Sequence, residues 1–399
     1  MSASLVAVDV ACVIAGVPVL AASGYLGVLT LLSRRMVPPS PDDQTQFDIV
    51  VPAHNEAANI EGTIRSLQAI EYPADRYRIL VIADNCSDNT AELARAAGAR
   101  VLDRTNAVER GKGYALALGY ETALSEKFAD AIVVVDADTH VSRNLLSAFS
   151  ARFVAGADAV QAEYGVRNGS DSWRTRLMVI ALTLFHTVRS LARERLHVSC
   201  GLRGNGMGFS TSVLRRVPPR AFSIVEDVEY GIALARDGVR VEYVHEAVVD
   251  GEMPSSAEAS QTQRERWEGG RWALVRAHVP TLVAASRTAA NRWVPLDLAA
   301  DLLVPPLTSL VFIAGLGFVI SLALLFWGAV SVAAVVPWTL SVAAIAIYVV
   351  RGMVLSGVGR SGFFDLMWAP VYAVWKVTLL FRKSRRNGEW VRTARSNEK

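Results

Sequence analysis

Asp136 and Asp138 stand one residue apart at the end of the continuous apolar run "DAIVVVDAD". Two carboxylates spaced D-x-D at a strand end project from adjoining turn positions and can hold a divalent cation, a hard ion that prefers oxygen ligands and shares its shell with substrate phosphates. In an ordinary surface turn such a pair is solvated or caps the next helix, so it gains meaning only in company. Company comes from "ERGKGYA" (Glu109 to Ala115), where glycines on both sides of Lys112 open a helix and let backbone N–H groups and a cation meet phosphate. The spacing is not that of a P-loop, and no G-x-G-x-x-G turn follows the first strand, which counts against a dinucleotide dehydrogenase. Farther on, "SIVEDVEYGIALARDG" sets Glu226 and Asp227 just before a helix, where a carboxylate either caps the helix and favours its dipole or serves chemistry. Lastly, "QTQRERWEGGRW" (Gln261 to Trp272) reads either as a basic, aromatic helix resting on lipid headgroups or as a catalytic segment held against a membrane.

These residues need a frame. From Phe47 the chain alternates short apolar runs with helical patterns: "FDIVVPA", then Ile60, Ile64, Leu67 and Ile70 at helical intervals, then "YRILVIAD", a helix capped by Asn89, "ARVLD", and a helix from Lys112. Continuous apolar strands of this kind are buried on both faces, and their alternation with helices predicts a doubly wound α/β domain. Ligands bind beyond the carboxyl ends of strands in such sheets. The polar punctuation falls there: "AHNEA" after the first strand, Asp84 after the second, Asp103 and Arg104 after the third, Asp136 and Asp138 after the fourth.

The chain has 399 residues, 52% apolar and 20% charged, too oily for an ordinary soluble protein. Val10 to Leu32 is long enough to cross a hydrocarbon core as a helix, and Leu303 to Val350 carries no charge and suffices for two crossings with a turn near Gly328. Arg34 and Arg35 follow the first span while no Lys or Arg precedes it, so the middle domain is expected in the cytoplasm, at the inner membrane of the cell. A cleaved signal peptide is the competing reading, and it lacks the basic start such peptides carry. The expected organisation is a transmembrane helix in 1–35, a Pro-rich linker in 36–46, a catalytic domain in 47–280, an interfacial segment in 281–302 and two transmembrane helices in 303–350. Residues 351–399 would form an interfacial or third membrane helix and a basic tail; Asp365, Lys376 and two Trp suit a wet surface. Cys12, Cys86 and Cys200 are far apart, odd in number and without a C-x-x-C, so neither a disulfide framework nor a zinc site is indicated. The net charge of +3 comes largely from membrane-flanking Arg and does not suggest nucleic acid as a partner.

The ordered set "VVPAHNEAANI", "VIADNCSDNT", "RGKGYAL", "VVVDADT", "VEDVEYG" and "QRERW" resembles the membrane-bound family 2 glycosyltransferases with a GT-A catalytic domain. The likeness is to the branch with cellulose, chitooligosaccharide, hyaluronan and poly-N-acetylglucosamine synthases, and it covers Asp48 to Trp272. It implies a GT-A-like doubly wound mixed sheet flanked by transmembrane and interfacial helices. It also implies that Glu56, Asp84, Lys112, Asp136 and Arg266 bind a UDP-sugar, that Asp138 with Asp136 ligates Mg2+ or Mn2+, and that Asp227 is the general base. Met207, Gly208, Gln263 and Trp267 would meet the acceptor. The implied reaction inverts the anomeric centre and adds a hexose or N-acetylhexosamine in β linkage to a growing extracellular polysaccharide, with export subunits as candidate partners. Addition of one sugar to a polyprenyl-linked or other lipid acceptor is the alternative. The second strand ends Ala83-Asp84 where many relatives carry two Asp, which leaves the nucleotide contact on one carboxylate. A transporter is disfavoured by the few spans and the absence of an ionisable residue between Leu303 and Val350. A non-catalytic nucleotide-sugar-binding scaffold is disfavoured by the intact set Asp138, Asp227, Arg266 and Trp267.

Overall fold

The computed structural model of the chain describes residues 3–223, 225–252 and 271–366. A long apolar helix, α1 (Ala3–Leu32), leads into the alternation read from the sequence. Its members are β1 (Phe47–Ala53), α2 (Ile60–Gln68), β2 (Tyr77–Asp84), α3 (Thr90–Ala96), β3 (Arg100–Arg104), α4 (Lys112–Glu126) and β4 (Ala131–Val134). There follow β5 (Thr139–Val141), α5 (Leu145–Val154), β6 (Ala159–Val166) and α6 (Trp173–Leu182), which runs through a π-helical turn (Thr183–Val188) into α7 (Arg189–Arg195). The domain closes with β7 (Met207–Ser210), α8 (Thr211–Arg216), α9 (Glu226–Arg236) and β8 (Val241–Gly251).

The strands form one mixed sheet in the order β3-β2-β1-β4-β7-β6-β8-β5. β7 runs antiparallel to β4 and β6, and β5 antiparallel to β8; the other pairings are parallel. Near-continuous apolar residues in β1, β2 and β4 follow from helices covering both faces. On one face Ile60, Ile64, Ala94, Leu145 and Phe149 of α2, α3 and α5 build the core; on the other, Leu116, Leu191, Leu214 and Leu234 of α4, α7, α8 and α9 do so.

Two local expectations are corrected. Asn89 precedes α3 without a capping side-chain bond; Asp88 Oδ1 instead accepts from the Thr90 N–H at 3.0 Å, since a carboxylate is the stronger acceptor. Glu226 and Asp227 do not precede α9 but are its first two residues, where acidic side chains suit the positive end of the helix dipole.

Beyond the sheet lie α10 (Arg271–Ala285), α11 (Trp293–Leu303), α12 (Leu307–Phe326), α13 (Val332–Ser356) and α14 (Gly359–Leu366). Three stretches, Val6–Leu32 of α1, Leu307–Phe326 and Val332–Ser356, are long and apolar enough to cross a membrane by length and composition. The second and third are joined by a short turn through Gly328, where the sequence placed it, but the last helix runs past Val350 to Ser356. Asp9 of α1 satisfies the start of α13, accepting from Ser331 N–H and Oγ at 2.7 Å each.

The stretch 281–302, read as interfacial, is divided between α10 and α11, and α11 is fastened inward by charge. Arg189 of α7 donates to Asp301 Oδ1 at 2.8 Å and to Tyr348 Oη at 3.0 Å. Arg193 reaches Asp301 at 2.7 Å, Asp297 at 2.9 Å and Tyr25 Oη at 2.7 Å. Four helices, α1, α7, α11 and α13, therefore meet on two buried guanidiniums. Asp365, expected at a wet surface, is buried in α14 against Arg176 Nε at 2.5 Å. The remaining carboxy-terminal segment and the basic tail lie outside the described residues.

Candidate active site

The carboxyl ends of β1, β2 and β4 share one edge of the sheet because the three strands are parallel neighbours. Two polar clusters form there. In the first, buried Asp84 accepts from Arg104 Nη1 at 2.7 Å and from Asn85 Nδ2 at 3.0 Å, and the Asp84 carbonyl lies 2.7 Å from His54 Nδ1. The same Arg104 donates to the Glu109 carbonyl at 2.8 Å and to its carboxylate at 3.2 Å. Asp84 thus fixes, through one guanidinium, the loop that delivers Lys112.

The second cluster gathers around that lysine. Lys112 Nζ lies 2.5 Å from Asp136 Oδ1, donates to the Gly204 carbonyl at 2.6 Å and stands 3.9 Å from Glu226 Oε1. Burial works against the charge of Lys112, but the carboxylates of Asp136, Glu226 and Asp227 outweigh it and hold its pKa above the ordinary lysine value. Burial pushes Glu226 up to about 7, with Lys112 opposing and Asp227 adding to the rise. Asp227 is also raised, first by burial, against the pull of Lys112 and of the Val228 N–H that donates to its Oδ1 at 2.8 Å. Gly204, at φ +77°, lies so close that a Cβ there would sit 3.3 Å from Asp227 Oδ2.

Asp138 follows β4 on the same turn and accepts from Thr139 Oγ1 at 3.3 Å. Among the described residues no group of three or more His, Cys, Asp or Glu is arranged to hold a metal by itself. Glu56 sits in the β1–α2 turn, its N–H donating to Thr90 Oγ1 at 2.8 Å and its carboxylate accepting from Asn59 Nδ2 at 2.9 Å, so it shapes the edge beside the first cluster.

Met207 and Gly208 are placed differently from their expected role at the acceptor. Both belong to β7, paired with Val134 and Val133 of β4, and Met207 is 3% exposed within the core. A Cβ on Gly208 would lie 2.7 Å from Val160 Cγ2, so this glycine admits core side chains rather than a ligand. What faces the charged cluster is the loop just before the strand, through the Gly204 carbonyl. Gln263, Arg266 and Trp267 lie outside the described residues.

One residue of this edge was missed by sequence reasoning. Asn205 Oδ1 accepts the Asp136 N–H at 3.0 Å and its Nδ2 donates to Thr139 Oγ1 at 2.8 Å, clamping both ends of the D-x-D turn. Gln161 in turn donates to the Asn205 carbonyl at 2.8 Å and accepts the Arg203 N–H at 2.9 Å. The available signal was an amide between two glycines, which a tight loop alone does not require.

The fold is shared with the solved mannosyltransferase PcManGT from Pyrobaculum calidifontis, at 18% identity and a TM-score of 0.56, covering 88% of this chain and 99% of that one. In sequence the chain is similar to a beta-monoglucosyldiacylglycerol synthase of Synechocystis, 26% identical over 267 residues, which are 61% of this chain and 54% of that protein. It is also similar to an N-acetylglucosaminyltransferase of Mesorhizobium japonicum, 23% identical over 326 residues, 79% of this chain and 73% of that one. The chain spans about half the length of several curated relatives it matches. The sequence model described as "Glycosyltransferase like family 2" matches residues 44–270, more than half of the chain and all six of the ordered motifs, and the protein belongs to that family.

Proposed function

We propose that this protein is an inverting, membrane-bound glycosyltransferase that moves a hexose or N-acetylhexosamine from a UDP-sugar, in β linkage, to a glycan growing at the membrane or to a lipid. The observation that carries the reading is the meeting of one cation, Lys112, with Asp136 at the end of β4 and with Glu226 and Asp227 at the start of α9. Such a site offers a positive group to a diphosphate and a half-buried carboxylate to a hydroxyl proton.

In the proposed reaction the acceptor oxygen bonds to the anomeric carbon as the bond from that carbon to the diphosphate breaks, and the acceptor proton passes to Asp227. A hydroxyl of high pKa gains from a positioned carboxylate of this kind. Lys112 lies where it can offset charge developing on the leaving diphosphate. Asp136 and Asp138 are hard oxygen donors that would hold a divalent cation together with phosphate oxygens of the donor. When bound, Mg2+ or Mn2+ would supply further charge stabilisation to the leaving group. Asp84 and Glu56 are assigned to the nucleotide side of the cleft, and Arg266, Gln263 and Trp267 to the diphosphate and acceptor by the Q-x-x-R-W resemblance.

The helices α1, α12 and α13 are proposed to cross the inner membrane with the sheet on the cytoplasmic side, in keeping with Arg34, Arg35 and Arg351 at their domain-facing ends. The names of the Synechocystis and Mesorhizobium relatives support a membrane lipid as one acceptor class and N-acetylglucosamine as one donor sugar. The test is UDP or GDP release by the full chain in nanodiscs, with Mg2+ or Mn2+, across a panel of UDP-sugars and GDP-mannose. Selective turnover of one UDP-sugar that disappears in Asp227→Asn supports the reading, and turnover of GDP-mannose alone, or of no donor, overturns it.

A further inference from the structure

Lys112 donates to the Gly204 carbonyl, and two residues farther the same loop meets the sheet. There the Ala162 N–H of β6 donates to the Gly206 carbonyl at 2.8 Å. One residue farther, β6 and β8 lose register: Ala162 pairs with Val244 but Glu163 with Val248. The bulge borders a cavity of about 360 Å3 bounded also by α6, the π-helical turn and the end of α13. That volume is at the small end of the range for ligand pockets, about 300–1,000 Å3.

The chemistry of its wall is specific. Glu163 accepts from Thr187 Oγ1 at 3.2 Å and lies 3.4 Å from Arg35, while Glu246 is paired with Arg152 at 3.0 Å and lies 3.0 Å from His245 Nδ1. Asp250 and Tyr164 also line the cavity. Burial pushes the carboxyls of Glu163 and Asp250 up, so each is served by a hydroxyl partner better than by a second anion.

An apolar groove of about 610 Å3 adjoins this cavity along α13. Val311, Ala314 and Gly315 of α12 form one wall and residues between Val342 and Val354 of α13 the other, with no polar surface. Met353 and Val354 end the groove, and the next residues, Leu355 and Ser356, line the polar cavity. Ser356 follows Met353 by three positions and so shares its helix face. The α12 wall belongs to the first turns after α11, whose Asp301 is tied to Arg189, so the groove occupies the half of the helix pair nearest the sheet. A polar chamber at the foot of an apolar trough has the form of an amphiphile.

Resting on the glycosyltransferase reading above, we propose that this paired site holds the acceptor as a neutral lipid, its hydroxyl-rich head among Glu163, Asp250 and Thr187 and its chain along α12 and α13. Charge selects the head: hydroxyls donate to the carboxylates, whereas a phosphate meets two carboxylates for the one guanidinium of Arg35. Gly204, which approaches Asp227, and Gly206, which is bonded to the Ala162 that precedes Glu163 in β6, belong to one loop, so a short stretch of chain links the donor site to the chamber wall.

The experiment uses the full chain in phosphatidylcholine nanodiscs carrying dioleoylglycerol, its monoglucoside or undecaprenyl phosphate, with radiolabelled UDP-sugar and, in parallel, a soluble oligosaccharide. Label is expected in a neutral lipid and not in the polyprenyl phosphate. Glu163→Gln and Asp250→Asn are expected to raise the lipid KM about tenfold, a loss of one or two hydrogen bonds, with the donor KM moving less than about twofold. Ala346→Phe, which fills the groove without entering the polar chamber, is expected to raise KM for long-chain lipids and not for a short-chain analogue of the same head. Val319→Ala, on an exposed face of α12 outside the groove, serves as the control. Label only in the polyprenyl phosphate or the oligosaccharide, or unchanged lipid KM in all three variants, overturns the inference while leaving the enzyme reading intact. Absence of donor turnover in the unaltered protein overturns both.

Discussion

Lys112 Nζ lies 2.5 Å from Asp136 Oδ1, so the cation at the start of α4 is held by a carboxylate at the end of β4. The pair joins the two halves of the proposed donor site. Lys112→Met is expected to lower kcat/KM about 100-fold, the scale of removing one preorganised charge from a leaving-group site. Steady-state UDP release checks this; a loss below about threefold would move the diphosphate contact elsewhere.

Asp227→Asn removes the proposed proton acceptor while keeping the shape of the α9 start. Transfer should fall by at least about 100-fold, the usual scale for loss of a general base. UDP affinity, read by calorimetry, should stay near that of the unaltered protein, and retained transfer would mean that another group takes the proton.

Burial raises Asp227, against Lys112, so its basic form appears at a higher pH than for an exposed aspartate. A base is active when deprotonated, hence the acidic limb of kcat/KM should rise with pH and lie above the usual aspartate range. A limb at the ordinary aspartate value would separate Asp227 from the rate.

Gly204 holds φ +77° with room for a Cβ only 3.3 Å from Asp227 Oδ2. Gly204→Ala should cost about 1–2 kcal/mol of backbone strain and displace the carboxylate. A lowered thermal midpoint together with reduced kcat is the expected result, and an unchanged kcat would show that the loop does not position Asp227.

Asp301 is buried, which acts to raise its pKa, yet Arg193 and Arg189 outweigh burial and hold it below the ordinary carboxylate range. Its folded value is depressed, so its contribution to stability is present above the unfolded carboxylate value and is lost only as pH falls through the lower folded one. Asp301→Asn should destabilise the protein by about 3–5 kcal/mol at neutral pH by leaving guanidinium charge uncompensated. Thermal unfolding in detergent at neutral pH would read this as a lowered midpoint, and equal midpoints would show that the junction bears no load.

The sheet and the carboxylates at its edge were legible in the sequence because continuous apolar strands alternating with helices leave few topologies, and strand ends in such folds carry the ligands. Lys112 and Asp136, read at a helix start and a strand end, stand 2.5 Å apart at that edge. Met207 and Gly208 did not reach the cleft, because small and apolar residues serve a loop and a packed strand equally well on paper. Asn205 was illegible for a related reason: its amide acts through the Asp136 backbone and Thr139, partners 69 and 66 residues away. The pairing of Arg189 and Arg193 with α11 was hidden because two Arg on a helix look like a solvated face until helices distant in the chain surround them.

That junction also constrains the order in which the chain can mature. Tyr25 and Asp297 are bonded across 272 residues and Arg189 and Tyr348 across 159, so Arg193 lacks its full set of partners until α11 has been synthesised and Arg189 until α13 has followed. During translation the sheet can therefore assemble first while Arg189 and Arg193 stay hydrated, and docking of the sheet onto the helices becomes the closing event of biogenesis. A protein that dies early in synthesis would leave two hydrated charges where a sealed one would have none, a feature by which quality control could distinguish finished chains from interrupted ones.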